Sequence, residues 1–109
     1  MSQEIYARLN NGELLPAVVQ DVDSKEVLML AWVNTEAFEA TLKNRRATFW
    51  SRSRNELWEK GSSSGNYQDI VDIKFDCDAD SLVYLVRAHG PACHTGEVTC
   101  FHRTIENNQ

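Results

Sequence analysis

A mainly β, α+β domain is predicted by three features of the 109-residue chain: short apolar runs broken by polar turns, a single stretch of helical periodicity, and uniform composition throughout. Short strands outnumber helices, so the expected architecture is a barrel-like or intertwined sheet with one main helix over 35–44. Residues 1–13 are polar and carry the turn signal Asn10-Asn11-Gly12, which reads as a loosely held leader with at most a short strand. Val18–Val22 and Val27–Val33, separated by the polar Asp23-Ser24-Lys25-Glu26, form the first expected hairpin. Asn34 is an N-cap candidate for the helix. Glu36 and Glu39 near its start and Lys43, Arg45 and Arg46 at its end suit the helix dipole, and Ala37, Phe38, Thr41 and Leu42 form its inward stripe. Thr48–Ser51 and Leu57–Glu59 flank a polar bend and make a second hairpin bearing Phe49, Trp50 and Trp58. A flexible loop, Gly61 to Asn66, leads to strands over 70–75 and 82–86.

Composition bounds the function. With 42% hydrophobic and 25% charged residues, positions 1–109 read as one globular domain with little room for an appended module. The longest apolar run, Val27–Val33, is too short to span a membrane, and the N-terminus lacks a signal core, so a cytoplasmic location is expected. A net charge of -5 argues against nucleic acid as a partner. Six of the 11 basic residues lie between positions 43 and 60, while Asp69, Asp72, Asp76, Asp78 and Asp80 follow soon after. A basic half-site beside an acidic one suits a small phosphorylated ligand together with a metal.

The chemistry concentrates in the last third. Cys77, Cys93 and Cys100 are odd in number, so a closed disulfide framework accounts for them poorly. Three thiolates could hold zinc and leave its fourth position to water. Their spacing is unlike that of zinc fingers, and three inert buried thiols is the competing reading, weakened by the turn residues Gly90, Pro91 and Gly96 around Cys93. In an extended chain Asp76, Asp78 and Asp80 would face one way and invite magnesium. The plain alternative is a solvated acidic turn. An EF-hand is excluded because Ser81 and Arg87 stand where that loop needs Gly and Glu. His94 reads as a proton shuttle, a fourth ligand or a turn residue, while His89 and His102 read as structural. For a nucleotide substrate, Trp50 offers a stacking face, Arg52, Arg54 and Lys60 offer cations, and Ser64, Gly65 and Asn66 form a loop able to wrap a phosphate.

The strings Trp50-Ser51-Arg52-Ser53-Arg54, Leu57-Trp58-Glu59-Lys60-Gly61, Ser64-Gly65-Asn66, Asp76-Cys77-Asp78-Ala79-Asp80 and Gly90 to Gly96 with Cys100-Phe101 together resemble the phosphoribosyl-AMP cyclohydrolase family of histidine biosynthesis, from about Leu15 to Arg103. Ser63 and Thr99 depart from the usual threonine and serine but keep a hydroxyl. The resemblance implies hydrolytic opening of the adenine ring of 1-(5-phosphoribosyl)-AMP at the N1–C6 bond. It also implies a homodimer, one zinc per subunit on Cys77, Cys93 and Cys100 contributed by both chains, and one magnesium on Asp76, Asp78 and Asp80. With the chain ending soon after this segment, no fused pyrophosphohydrolase domain is expected. Two rivals are a nucleoside deaminase, whose His-x-Glu signature is missing, and a zinc-stapled dimer that binds a nucleotide or short RNA without transforming it.

Overall fold

In the computed structural model, which describes residues 3–106, the chain opens with an α-helix, α1 (Gln3–Asn10). This corrects the expectation of a loose leader; residues 1 and 2 of that leader lie outside the described residues. The helix forms because Ile5 and Leu9, four residues apart, share one face and are 0% and 3% exposed, while Glu4 and Arg8 suit the two ends of the dipole. Counting polar residues concealed that spacing. Tyr6 meets Phe38 edge-on at 5.5 Å, fixing α1 against the second helix, α2 (Thr35–Asn44).

Two strands lie between the helices, β1 (Leu15–Asp21) and β2 (Val27–Val33), paired antiparallel as the hairpin predicts. Around the turn Asp21 accepts hydrogen bonds from the N–H groups of Asp23 and Ser24 at 3.1 and 2.8 Å. The N-cap of α2 is Asn34, whose Oδ1 accepts from the Ala37 N–H at 2.9 Å. Arg45 ends the helix in the left-handed region, φ 56°, with its N–H donating to the Thr41 carbonyl. Thr41 is fully buried and its Oγ1 accepts the Thr48 N–H at 3.0 Å, which ties α2 to β3 (Thr48–Ser51). The hairpin is completed by β4 (Glu56–Glu59), and the chain returns through β5 (Gln68–Phe75) and β6 (Leu82–Ala88).

The main sheet has the order β2-β1-β6-β5, with β1 and β6 parallel and the other pairs antiparallel. β3 and β4 form a separate two-stranded sheet. Among the described residues the sheets do not close into a barrel, and there are two helices rather than one. Each outer edge meets a short segment instead of a further strand of the same sheet. Residues 45–47 run beside β5, with Ala47 N donating to Gln68 O and Ile70 N to Arg45 O, and Cys100 N donates to Leu28 O on β2. Tyr84, Phe49, Leu15, Val19 and Val33 are among the core side chains, all at most 2% exposed. No helix among the described residues is long and apolar enough to cross a membrane.

Candidate functional site

The β5–β6 connection carries the three aspartates. The extended geometry expected for Asp76, Asp78 and Asp80 is not what brings them together: the chain coils into a tight turn. Asp76 Oδ1 accepts the N–H groups of Asp80 and Ser81 at 2.9 and 3.3 Å, Asp76 N donates to Ser81 O, and Ala79 adopts φ 57° with its methyl buried. One oxygen from each carboxylate then lies within 4.8 Å of the others. Among the described residues none of the three is paired with a cationic side chain. The carboxyls do not titrate alike. Desolvation acts to raise Asp76, but the hydrogen bonds from Asp80 and Ser81 outweigh it and hold Asp76 well below the usual carboxylate range. The hydrogen bond with Asp76 pushes Asp80 up, desolvation and the nearby Asp78 adding to it. From below, Arg8 of α1 donates to the Asp78 carbonyl at 3.1 Å while pairing with Glu13 at 3.3 Å.

Cys93 and Cys100 belong to a second group beyond the far end of β6. Their loop folds back on itself through Ala92 N to Val98 O and Cys93 N to Glu97 O, and Gly96 makes the reversal at φ 93°. Thr99 Oγ1 and Cys100 N then pin it to the start of β2 through the Val27 and Leu28 carbonyls. The Thr95 hydroxyl donates to Cys93 Sγ at 3.0 Å and, with help from the backbone, lowers that thiol to about 6. Burial, followed by the neighbouring Cys93 charge, pushes Cys100 up. His102, read from sequence as structural, brings Nε2 to 3.9 Å from Cys93 Sγ. His94 is exposed and makes no hydrogen bond among the described residues. Lys60, expected to meet substrate, donates instead to the Ala92 carbonyl of this loop at 2.7 Å.

Cys77 does not join the other two thiols within the chain. It sits on the acidic turn at the start of β6, whereas Cys93 follows that strand's end, and seven residues at about 3.3 Å each place the two ends roughly 20 Å apart. The loop 61–66 reaches the thiol end of the sheet. Asn66 packs against Gly90 so closely that a β-carbon on Gly90 would overlap its side-chain amide. Ser64 Oγ accepts the Asn66 N–H at 3.1 Å, and Gly65 turns at φ 82°. His89 Nε2 meets Asp69 at 2.7 Å, and Arg46 lies 3.5 Å from Asp69 and over the Tyr67 ring.

A cleft of about 620 Å³ opens between β2 and the β3–β4 hairpin, lined by Trp32, Trp50, Trp58, Arg52, Ser51 and Ser53 among others. Arg52 stacks over Trp32 at 4.6 Å. Trp50 and Arg52 thus share one surface, whereas Arg54 is 74% exposed and pairs with Glu56 at 3.9 Å outside the cleft lining. Sequence reading missed Trp32. Its only sequence signal was its place two residues from Leu30 on the outward face of β2.

The fold and site define the broad class of α+β domains that gather carboxylates, thiols and an aromatic, cationic cleft about their two sheets. Comparison with known proteins narrows that class. The family model described as phosphoribosyl-AMP cyclohydrolase matches residues 29–102. The chain is 54% identical over 96 residues to a phosphoribosyl-AMP cyclohydrolase of Archaeoglobus fulgidus, covering 88% of this chain and 89% of the relative. It is 58% identical over 92 residues to that of Bacillus cereus, covering 84% and 91%. It is also 55% identical over 98 residues to the histidine biosynthesis bifunctional protein HisIE of Thermus thermophilus, covering 90% of this chain and 46% of that one. The chain belongs to the phosphoribosyl-AMP cyclohydrolase family, hydrolases of the histidine pathway.

Proposed function

We propose that the chain hydrolyses the N1–C6 bond of 1-(5-phosphoribosyl)-AMP, opening the adenine ring to the formamidino imidazole carboxamide ribonucleotide. The carrying observation is that the family match over residues 29–102 encloses the cleft, the 61–66 loop, the acidic turn and the thiol loop. Ring opening places a water oxygen on C6 and requires a proton to reach N1 as the bond to C6 breaks. Attachment of ribose at N1 draws electron density from the ring and makes C6 more electrophilic.

The donor sets suit two different cations. Three carboxylates without cationic partners among the described residues are hard oxygen donors, which fits magnesium on Asp76, Asp78 and Asp80. A thiol titrating near 6 beside a second one is a soft donor pair, which fits zinc on Cys93 and Cys100. Cys77, at the other end of the strand, completes that set from the second subunit of a homodimer. When bound, zinc lowers the pKa of a water towards about 7 and magnesium neutralises phosphate charge. His94, exposed beside Cys93 and free of other partners among the described residues, takes the proton from the attacking water and returns it at N1. Trp50 and Arg52 hold the nucleotide, and the Ser64-Gly65-Asn66 loop lies against the start of the thiol loop where it can close over the ligand.

Incubating the purified protein with phosphoribosyl-AMP, zinc and magnesium while following the ultraviolet spectrum tests the reading. The expected result is the spectral change of ring opening; an unchanged purine spectrum sinks it. A second arm replaces His94 with Ala. Turnover should fall by about 10²- to 10⁴-fold, the usual worth of a general acid–base group, and near-normal turnover across the pH range would remove His94 from the mechanism.

A further inference from the structure

We infer that Trp32 is a positioning residue for Arg52, and that this pair, rather than Arg54, anchors the phosphate of a purine nucleotide in the cleft between β2 and the β3–β4 hairpin. The inference rests on the nucleotide reading above and assigns its anion subsite. Arg52 is held without being neutralised. Its guanidinium lies 4.6 Å over the Trp32 ring, and among the described residues it forms no ion pair. Arg8, Arg46, Arg54 and Arg87 all face carboxylates at 3.3 to 3.9 Å. A carboxylate would orient an arginine but cancel the charge a phosphate needs. An aromatic face orients it and leaves that charge intact.

The surroundings select the same ligand. Among the described residues the cleft lining contains no acidic residue and Arg52 is its only charged side chain, and Ser51 and Ser53 add hydroxyl donors on either side. Trp50 and Trp58 line the same cleft, so a group bearing both an aromatic ring and an anion meets stacking and charge at once. At about 620 Å³ the cleft is within the usual range for small-molecule sites. Trp32 itself stands on β2 opposite Pro16 of β1, so its ring position is set by the sheet rather than by the mobile end of a loop.

Calorimetric titration with 5′-AMP and adenosine provides the test. Wild-type protein should prefer AMP, and Arg52→Gln should abolish the preference. Trp32→Leu should weaken AMP binding by about three- to tenfold, and Trp32→Tyr, which keeps a ring face, should restore most of it. Arg87→Gln, already paired with Asp23, is the charge control and should change nothing. In turnover assays Trp32→Leu should raise KM with little change in kcat, a split that general misfolding does not produce. The inference is overturned if wild type binds adenosine as well as AMP, if Trp32→Leu keeps full AMP affinity, or if Arg54→Gln rather than Arg52→Gln removes the preference. Ring opening with an unchanged KM in Trp32→Leu defeats the inference alone. Selective AMP binding through Arg52 in a protein that opens no ring defeats the proposed activity alone.

Discussion

Single residues here owe their chemistry to very local contacts. Cys93 is the clearest case, since one hydroxyl two residues away lowers its thiol to about 6 while burial pushes Cys100 up. In metal-free protein, alkylation by iodoacetamide should therefore label Cys93 first and rise through about pH 6, with Cys100 reacting only at higher pH. Mass spectrometry of labelled peptides reads this directly, and Thr95→Val should shift the Cys93 profile upwards. Asp69 offers a stability test of a shift in the same direction as that of Cys93. Its hydrogen bond to His89 holds its carboxyl below the ordinary value. A depressed folded pKa stabilises above the unfolded value and loses that contribution as pH falls through the folded one. Asp69→Asn should thus lower stability at neutral pH and narrow its difference from wild type below about pH 4, as denaturant titrations across that range would record. The Asp69–His89 contact was not readable from sequence, because only the antiparallel pairing of β5 with β6 brings Asp69 to the residue that follows β6.

Secondary-structure elements were the more legible scale. Asn34, the Glu and Lys distribution and the Ala37–Phe38–Thr41 stripe specified α2, and the structure has it over Thr35–Asn44. Leu42 sits at the margin of that stripe, half-buried. Asn34→Ala should cost about 1 kcal/mol by leaving the Ala37 N–H without its cap. The strands were found with small boundary differences, since alternation marks the middle of a strand better than its ends. By contrast α1 was missed, because two apolar residues in a polar stretch carry little weight until a groove exists to receive them. Ile5→Ala should therefore destabilise the protein by about 2–5 kcal/mol, whereas an unanchored leader would show no change in Tm. The acidic turn was misread for a related reason. Strand alternation was carried past Phe75, where the backbone leaves the sheet and Asp76 closes the loop on itself.

At the scale of the molecule the decisive fact is the length of β6. It separates the acidic turn with Cys77 from the loop with Cys93 and Cys100, so the proposed zinc set requires two chains. Co-expressing Cys77→Ser and Cys93→Ser subunits provides a direct check. Each variant alone should be inactive, and random pairing should give half heterodimers with one intact site each, about a quarter of wild-type sites. Recovery of zinc and turnover near that level supports shared sites, and no recovery from isolated heterodimers rules out a site built from both chains. The two sheets also present apolar groups that a single chain leaves in water. Leu30, Leu57, Val71 and Phe75 are each 37–44% exposed, and burying such surface is the usual driving force for a homodimer.

Sequence alone determined the donor inventory, the helix over 35–44, most strands and the family, because these depend on residue type and short-range periodicity. Tertiary structure decided which donors meet. It coiled three aspartates into one turn, left Cys77 a strand's length from its fellow thiols, committed Lys60 to a backbone carbonyl and set Trp32 beneath Arg52. Those outcomes depend on strand order and edge packing, which arise from contacts between residues far apart in the chain and leave no periodic mark on it.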